Sequence, residues 1–397
     1  MKTLFIILLI LGGSQVKGQS EVEQFENFLK DSTLSPKDYI FKLFEKNDIV
    51  ILGERDHRET TQYDLILEIL TDERFINQIG YVYTEVGVIN KNDCLNSVLK
   101  SEYSTPEKFE KSLIEVYRQL MFFPLWDKYN MYKYLKGVYN INKSLPIEKK
   151  ITVGLTDCRF EWTEMNFSKY AEFYKNYISV EALNTRDSIM AYNFMKLYEK
   201  QKPINGKRKA LYIQNQPHAI NVEVINESIK IKTVGAHIKE NYMESASIVL
   251  LNWYKYDANL FSDYSLIADG KWDAAFKLTN YNPVGFNLKN SPFGETSLDY
   301  NYDRNLIYED VADGFIFYKP FYKFVFEVGI PNVVDEDFSD ELLRRTSIYF
   351  GKGSKVSNEI IKSPEKAKKK LSNTYNNVRT VRVSEIRKLK KQLNEYF

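Results

Sequence analysis

Four aliphatic residues, Ile49-Val50-Ile51-Leu52, run into Gly53 and then, within four positions, into Glu54, Asp56 and His57. The run is too short for a helix and shows no polar alternation, so it predicts a strand buried on both faces. Residues 59–70 follow with helical spacing, Tyr63, Ile66, Leu67 and Leu70 falling on one side. Strand, turn and helix together are the local plan of an α/β sheet, whose ligands gather beyond the carboxyl ends of its strands. A charged surface turn is the plainer reading, and the rest of the chain decides between the two.

The pattern recurs. Residues 81–86 read as a second buried strand with Glu85 near its end, and 151–157 as a third that closes on Asp157, with Arg159 just beyond. Residues 210–214 form a fourth, opening into Asn215-Gln216-Pro217-His218; 248–251 and 314–318 are later strands. Between them, 105–139 is helical with an interruption at Pro124, and 170–177 and 183–201 are helical as well. In the last of these Arg186, Met190, Asn193 and Leu197 share a face, which predicts half-buried polar groups aimed at something polar. Residues 254–310 have weak periodicity and read as a long, lid-like insertion of loops. From 335 onward, 337–350, 363–373 and 384–397 are lysine-rich helices with a solvated face.

Strands alternating with helices predict an α/β fold: a mainly parallel central sheet flanked by helices, here with a charged C-terminal helical appendage. Lys2, the apolar run 4–11 and the small residues behind it predict a secretory signal over 1–18. The expected organisation is then a signal peptide at 1–18, an α/β domain at 19–330 and a charged helical tail at 331–397. A cleaved signal implies a secreted or periplasmic protein, and no later segment is long and apolar enough to span a bilayer.

A net charge of +2 gives no reason to expect nucleic acid as a partner. Two cysteines, Cys94 and Cys158, are too few for a disulfide framework or a thiolate zinc cage, and their pairing stays open. There is no Gly-x-Ser-x-Gly elbow, phosphate loop or Gly-x-Gly-x-x-Gly fingerprint. Only three histidines occur, His57, His218 and His237, so any imidazole chemistry comes from these. In a parallel sheet the strand ends carrying Glu54/His57, Glu85, Asp157/Arg159 and Asn215/His218 lie on one edge and converge. Carboxylates beside an imidazole are what general-base activation of water needs, and an arginine or second histidine can steady the developing oxyanion.

Gly53-Glu54-x-x-His57, the strand bearing Glu85, Arg186-Asp187-x-x-Met190-Ala191-x-Asn193, Asn215-x-x-His218, Gly235-x-His237 and Asp310-x-x-Asp313-Gly314-Phe315-Ile316-Phe317 resemble the ordered motifs of the erythromycin esterase-like proteins over residues 45–320. The resemblance implies hydrolysis of a small-molecule ester or lactone by an activated water, with no cofactor and no obligatory metal. It makes His57 the general base, with Glu54 and Glu85 orienting it or the water and His218 serving as acid or oxyanion partner. Arg186 and Asn193 shape the polar floor of the cleft, and Asp56, Asp157, Arg159, Asn215 and His237 complete the substrate-binding set. The chain departs from the family pattern at Arg58, where glycine is usual, and in Gln214-Asn215-Gln216-Pro217-His218, where one imidazole of the family's fourth-strand motif is replaced. Two other readings stay open: a metal-dependent hydrolase or peptidase with His57, Glu54, Glu85 and His218 as ligands, and a non-catalytic haem- or peptide-binding module. Oligomeric state is open too.

Overall fold

The computed structural model describes residues 21–31, 33–225, 230–257, 263–298 and 306–397. The expected signal peptide at 1–18 lies outside the described residues. None of the described helices is long and apolar enough to cross a membrane.

Seven strands make the central sheet: β1 (Ile49–Glu54), β2 (Tyr81–Val88), β3 (Thr152–Asp157), β4 (Ala210–Asn215), β5 (Ala246–Leu251), β6 (Val284–Asn287) and β7 (Gly314–Phe317). Their order is β6-β7-β5-β1-β4-β2-β3. β1 with β4, β4 with β2, β2 with β3 and β5 with β7 pair parallel, while β6 runs antiparallel to β7. Every residue of β1 is buried, as a strand covered on both faces demands. The fold is the α/β sheet flanked by helices that the sequence predicts.

The described residues divide into two compact units, one formed by 47–246 with 325–381 and the other by the residues up to 46 with 247–324 and 382–397. In the first unit, α1 (Thr61–Thr71), α2 (Tyr129–Lys143), α3 (Leu183–Lys200), α4 (Gln216–Ala219) and α5 (Val234–Tyr242) flank the four parallel strands. The expected helix over 105–139 is two helices, Pro106–Tyr117 and α2, with a non-helical stretch between them wider than Pro124 alone accounts for. The break is pinned by outside partners. The amide of Val88 donates to the Leu120 carbonyl at 2.8 Å, and Arg345 Nη1 donates to the carbonyls of Arg118 (2.5 Å) and Pro124 (3.5 Å). The same unit carries α6 (Glu336–Phe350), α7 (Lys355–Lys362) and α8 (Pro364–Asn376).

In the second unit, the region expected to be lid-like loops holds a helix, Lys271–Leu278, as well as β6, which joins the sheet as an edge strand. Weak periodicity hid both because each is short and packs through aromatic rings: Phe276 stacks on Phe317 at 4.0 Å. Gly285 and Gly314 let Tyr39 lie flat on these strands, since a Cβ at either position would come within 2.6 Å of its side chain.

Candidate active site

β1 delivers Glu54 fully buried at its carboxyl end. One oxygen of Glu54 accepts the Tyr63 hydroxyl at 2.6 Å, and the other faces His57 Nδ1 at 2.7 Å. Nε2 of the same ring faces Glu85 Oε1 at 3.1 Å. Glu85 lies where the register of β2 shifts, between Thr84 and Val88, and irregularities of this kind re-aim side chains. A carboxylate only accepts, so a ring held by one at each nitrogen donates at both and is an imidazolium. Burial works against that charge, but the hydrogen bonds and charges of Glu54 and Glu85 outweigh it and push the His57 pKa up to about 10. A doubly protonated ring takes up no further proton, so the two pairings fit a charged ring better than the general base expected of His57. With 27% of its side chain exposed, the ring is reachable from solvent.

β3 delivers Asp157, fully buried, which Arg186 of α3 grips through Nε at 3.1 Å and Nη2 at 2.8 Å. The next residue, Asp187, pairs with His218 Nδ1 at 2.7 Å, joining α3 to the end of β4. Asn193, two turns further along α3, donates to the carbonyls of Thr156 (2.9 Å) and Asp157 (3.3 Å) and holds the helix against β3. Burial raises the pKa of Glu85, but the charge of His218, the bond and charge of His57 and the charge of Arg186 together bring it down to about 2. For His218 burial lowers the pKa, while the charges of Asp187 and Glu85 and the Asp187 bond carry it above the ordinary value. Four acidic side chains, Glu54, Glu85, Asp157 and Asp187, thus meet one arginine and two histidines.

Three polar atoms around this centre are buried and have no hydrogen-bond partner: Glu85 Oε2, Trp126 Nε1 and the Tyr134 hydroxyl. The Trp126 ring stands edge-on to His57 at 5.4 Å, and Tyr134 packs edge-on against Tyr63 at the same separation. An unpaired buried polar atom costs about 1–3 kcal/mol, so each of these takes a partner, an ordered water or a bound group.

Of the residues expected in the site, Glu54, His57, Glu85, Asp157, Arg186, Asn193 and His218 come together. Asp56 turns instead to the Arg58 guanidinium at 2.6–2.8 Å, and Asn215 donates to the Arg55 carbonyl at 2.5 Å; both fasten the turn after β1. Arg159 is exposed and outside the cluster. His237 sits half-buried on α5 and forms no hydrogen bond with the cluster; burial and Lys232 lower its pKa. Asp187, Tyr63 and Trp126 were not expected in the site. Asp187 sits beside Arg186 in the α3 motif, and that adjacency was the available signal. Tyr63 reads as part of an apolar stripe and Trp126 as packing. Glu54, His57 and Glu85 also offer three ligand atoms within 4.8 Å of one another, a set able to hold a metal ion.

No protein-family model and no curated protein matches the chain. Solved structures do. A succinoglycan biosynthesis protein is 10% identical with a TM-score of 0.49, the match covering 75% of this chain and 96% of that one. A protein from Bacillus cereus is 12% identical with a TM-score of 0.44, covering 74% and 96%. An erythromycin esterase variant in its open conformation is 11% identical with a TM-score of 0.44, covering 70% and 92%. These likenesses are of fold and carry no chemistry. The molecule's own side chains define its class, an α/β protein with a carboxylate–imidazole centre at the carboxyl edge of a parallel sheet.

Proposed function

We propose that the protein is a hydrolase that cleaves a carboxylic ester or lactone with a water activated by His218. The observation that carries this reading is the pairing of two differently prepared imidazoles. Asp187 occupies Nδ1 of His218 and leaves Nε2 as its base, while His57 is held charged between Glu54 and Glu85. A water bonded to Glu85 Oε2 and His218 Nε2 attacks the acyl carbon. Its proton passes to His218, the acyl C–O bond breaks, and His218 returns the proton to the leaving alkoxide. Charge developing on the carbonyl oxygen is met by the Arg186 guanidinium, which Asp157 holds in place, while the His57 imidazolium, both its N–H groups given to Glu54 and Glu85, fixes Glu85 beside the water. Glu85 orients the water and does not deprotonate it, because a carboxylate at a pKa of about 2 is a poor base near neutrality.

A second reading has one observation in its favour, the three convergent ligand atoms of Glu54, His57 and Glu85. A divalent cation there would replace the ring proton and polarise the carbonyl directly.

Turnover of an ester and lactone panel by wild type, His57→Ala and His218→Ala, with and without a chelator, tests both readings. The proposed reaction predicts chelator-resistant turnover that falls about a hundredfold or more in each variant. Equal turnover by all three proteins would falsify it, and loss on chelation with recovery on adding zinc or manganese selects the metal reading.

A further inference from the structure

The helices after residue 335 contribute nothing to this chemistry, yet they carry a dense group of cations. Lys366, Lys368, Lys369 and Lys370 lie in α8, and Lys362 ends α7. No residue of α8 is fully buried, and Ala367, Leu371 and Tyr375 are half-buried. The helix is tied mainly at its far end. The Tyr375 carbonyl accepts from the Ile330 amide at 2.6 Å, and the Asn376 side chain bridges the amide and carbonyl of Val334 at 2.8 Å each. Lys368 adds an ion pair to Asp340 at 2.8 Å.

Beneath the nearer half of α8, between it and α6 and α7, is a half-open cavity of about 490 Å³. Val356, Ile360 and Leu371 give it apolar walls, and Lys362, Lys366 and Lys370 stand in its lining. Lys366 and Lys370 also line an adjoining open recess, together with Lys369, Thr374 and Arg379. Glu359 is the one carboxylate in either lining, and Lys370 offsets it at 3.5 Å. Side chains facing a void lose the contacts that close packing would give them, so an apolar guest would restore what the walls lack. A cavity of this size, mostly apolar with a few convergent polar groups, has the form of a small-molecule site. The cations at its mouth fix the sign of the guest's polar end.

We propose that this cavity binds a single-chain amphiphile with an anionic head, a long-chain fatty carboxylate. Its chain lies between α7 and α8 and its carboxylate meets Lys366 and Lys370. The site shares no residue with the proposed hydrolytic centre, and its occupancy does not depend on that centre's activity.

The full chain is titrated calorimetrically with laurate below its micelle concentration. Dodecyltrimethylammonium supplies the same tail with a cationic head, and inorganic phosphate supplies an anion without a tail. Laurate binds saturably at one site and raises the melting temperature, while neither control does so. The double variant Lys366→Glu/Lys370→Glu weakens laurate by at least about tenfold, the scale of one charge-assisted hydrogen bond. Leu371→Trp, which fills the cavity, abolishes binding, with the fold of each variant checked by circular dichroism. Should Leu371→Trp misfold, the charge-reversed variant decides. Laurate affinity unchanged in the charge-reversed variant, binding of the cationic amphiphile equal to that of laurate, or no saturable laurate binding overturns the proposal.

Discussion

Arg186 and Asp187 are neighbours in the chain, yet their side chains serve different strands, one holding Asp157 at the end of β3 and the other His218 beyond β4. In the proposed reaction His218 accepts a proton, so it must be neutral to work, and turnover rises with pH as the ring loses its charge. The charge of Asp187 is the strongest influence holding that pKa up against burial. Asp187→Asn therefore moves the acidic limb of the pH–rate profile to lower pH. It also lowers kcat by about a hundredfold, because the amide no longer steadies the imidazolium or fixes its tautomer. A profile whose acidic limb stays in place would remove His218 as the base. Arg186→Ala acts differently: it leaves the buried Asp157 charge unpaired, and chemical denaturation should show a loss of about 3–5 kcal/mol.

β2 is the element on which the site turns. Gly87 has a φ of 134°, a conformation that side chains with a Cβ rarely adopt, and a Cβ there would lie 2.6 Å from Leu155 Cδ2. Gly87→Ala is thus expected to cost about 1–3 kcal/mol in chemical denaturation. It should also lower turnover by pulling Glu85 off His57, and unchanged stability would mean the bulge relaxes freely. Nothing in Tyr81-Val82-Tyr83-Thr84-Glu85-Val86 announces that irregularity. The strands themselves were legible because continuous β-branched and aliphatic runs have one common use, a strand buried on both faces. From them came the parallel edge and the meeting of Glu54, His57, Glu85 and His218. What lay hidden depends on partners distant in the chain. Arg345 reaches the break after Tyr117, and β6 is held by its pairing with β7. Charge state was equally hidden, since only geometry reveals that His57 has a carboxylate on each side.

At the scale of the whole molecule, the same bonds tie folding to pH. The folded pKa of His57, about 10, lies above its ordinary 6.5, so its contribution to stability is complete below 6.5 and is lost as pH rises toward 10. Glu85 has the opposite sign: its contribution is complete above the ordinary 4.5 and is lost as pH falls toward 2. Because the two groups share a hydrogen bond, their shifts partly record one interaction and are not additive. The raised pKa of His218 adds to the alkaline loss, whereas the exposed ion pairs of the C-terminal helices contribute little at any pH. Comparing wild type with His57→Gln isolates the first effect. The gap between their unfolding free energies is expected to be widest from pH 4.5 to 6.5 and to narrow steadily toward pH 10, as wild type gives up its imidazolium and the variant has none to lose. Denaturant titrations across that range measure it. A gap that stays constant up to pH 10 would mean the ring is neutral in the folded protein, and with that the separate roles of the two imidazoles would fall.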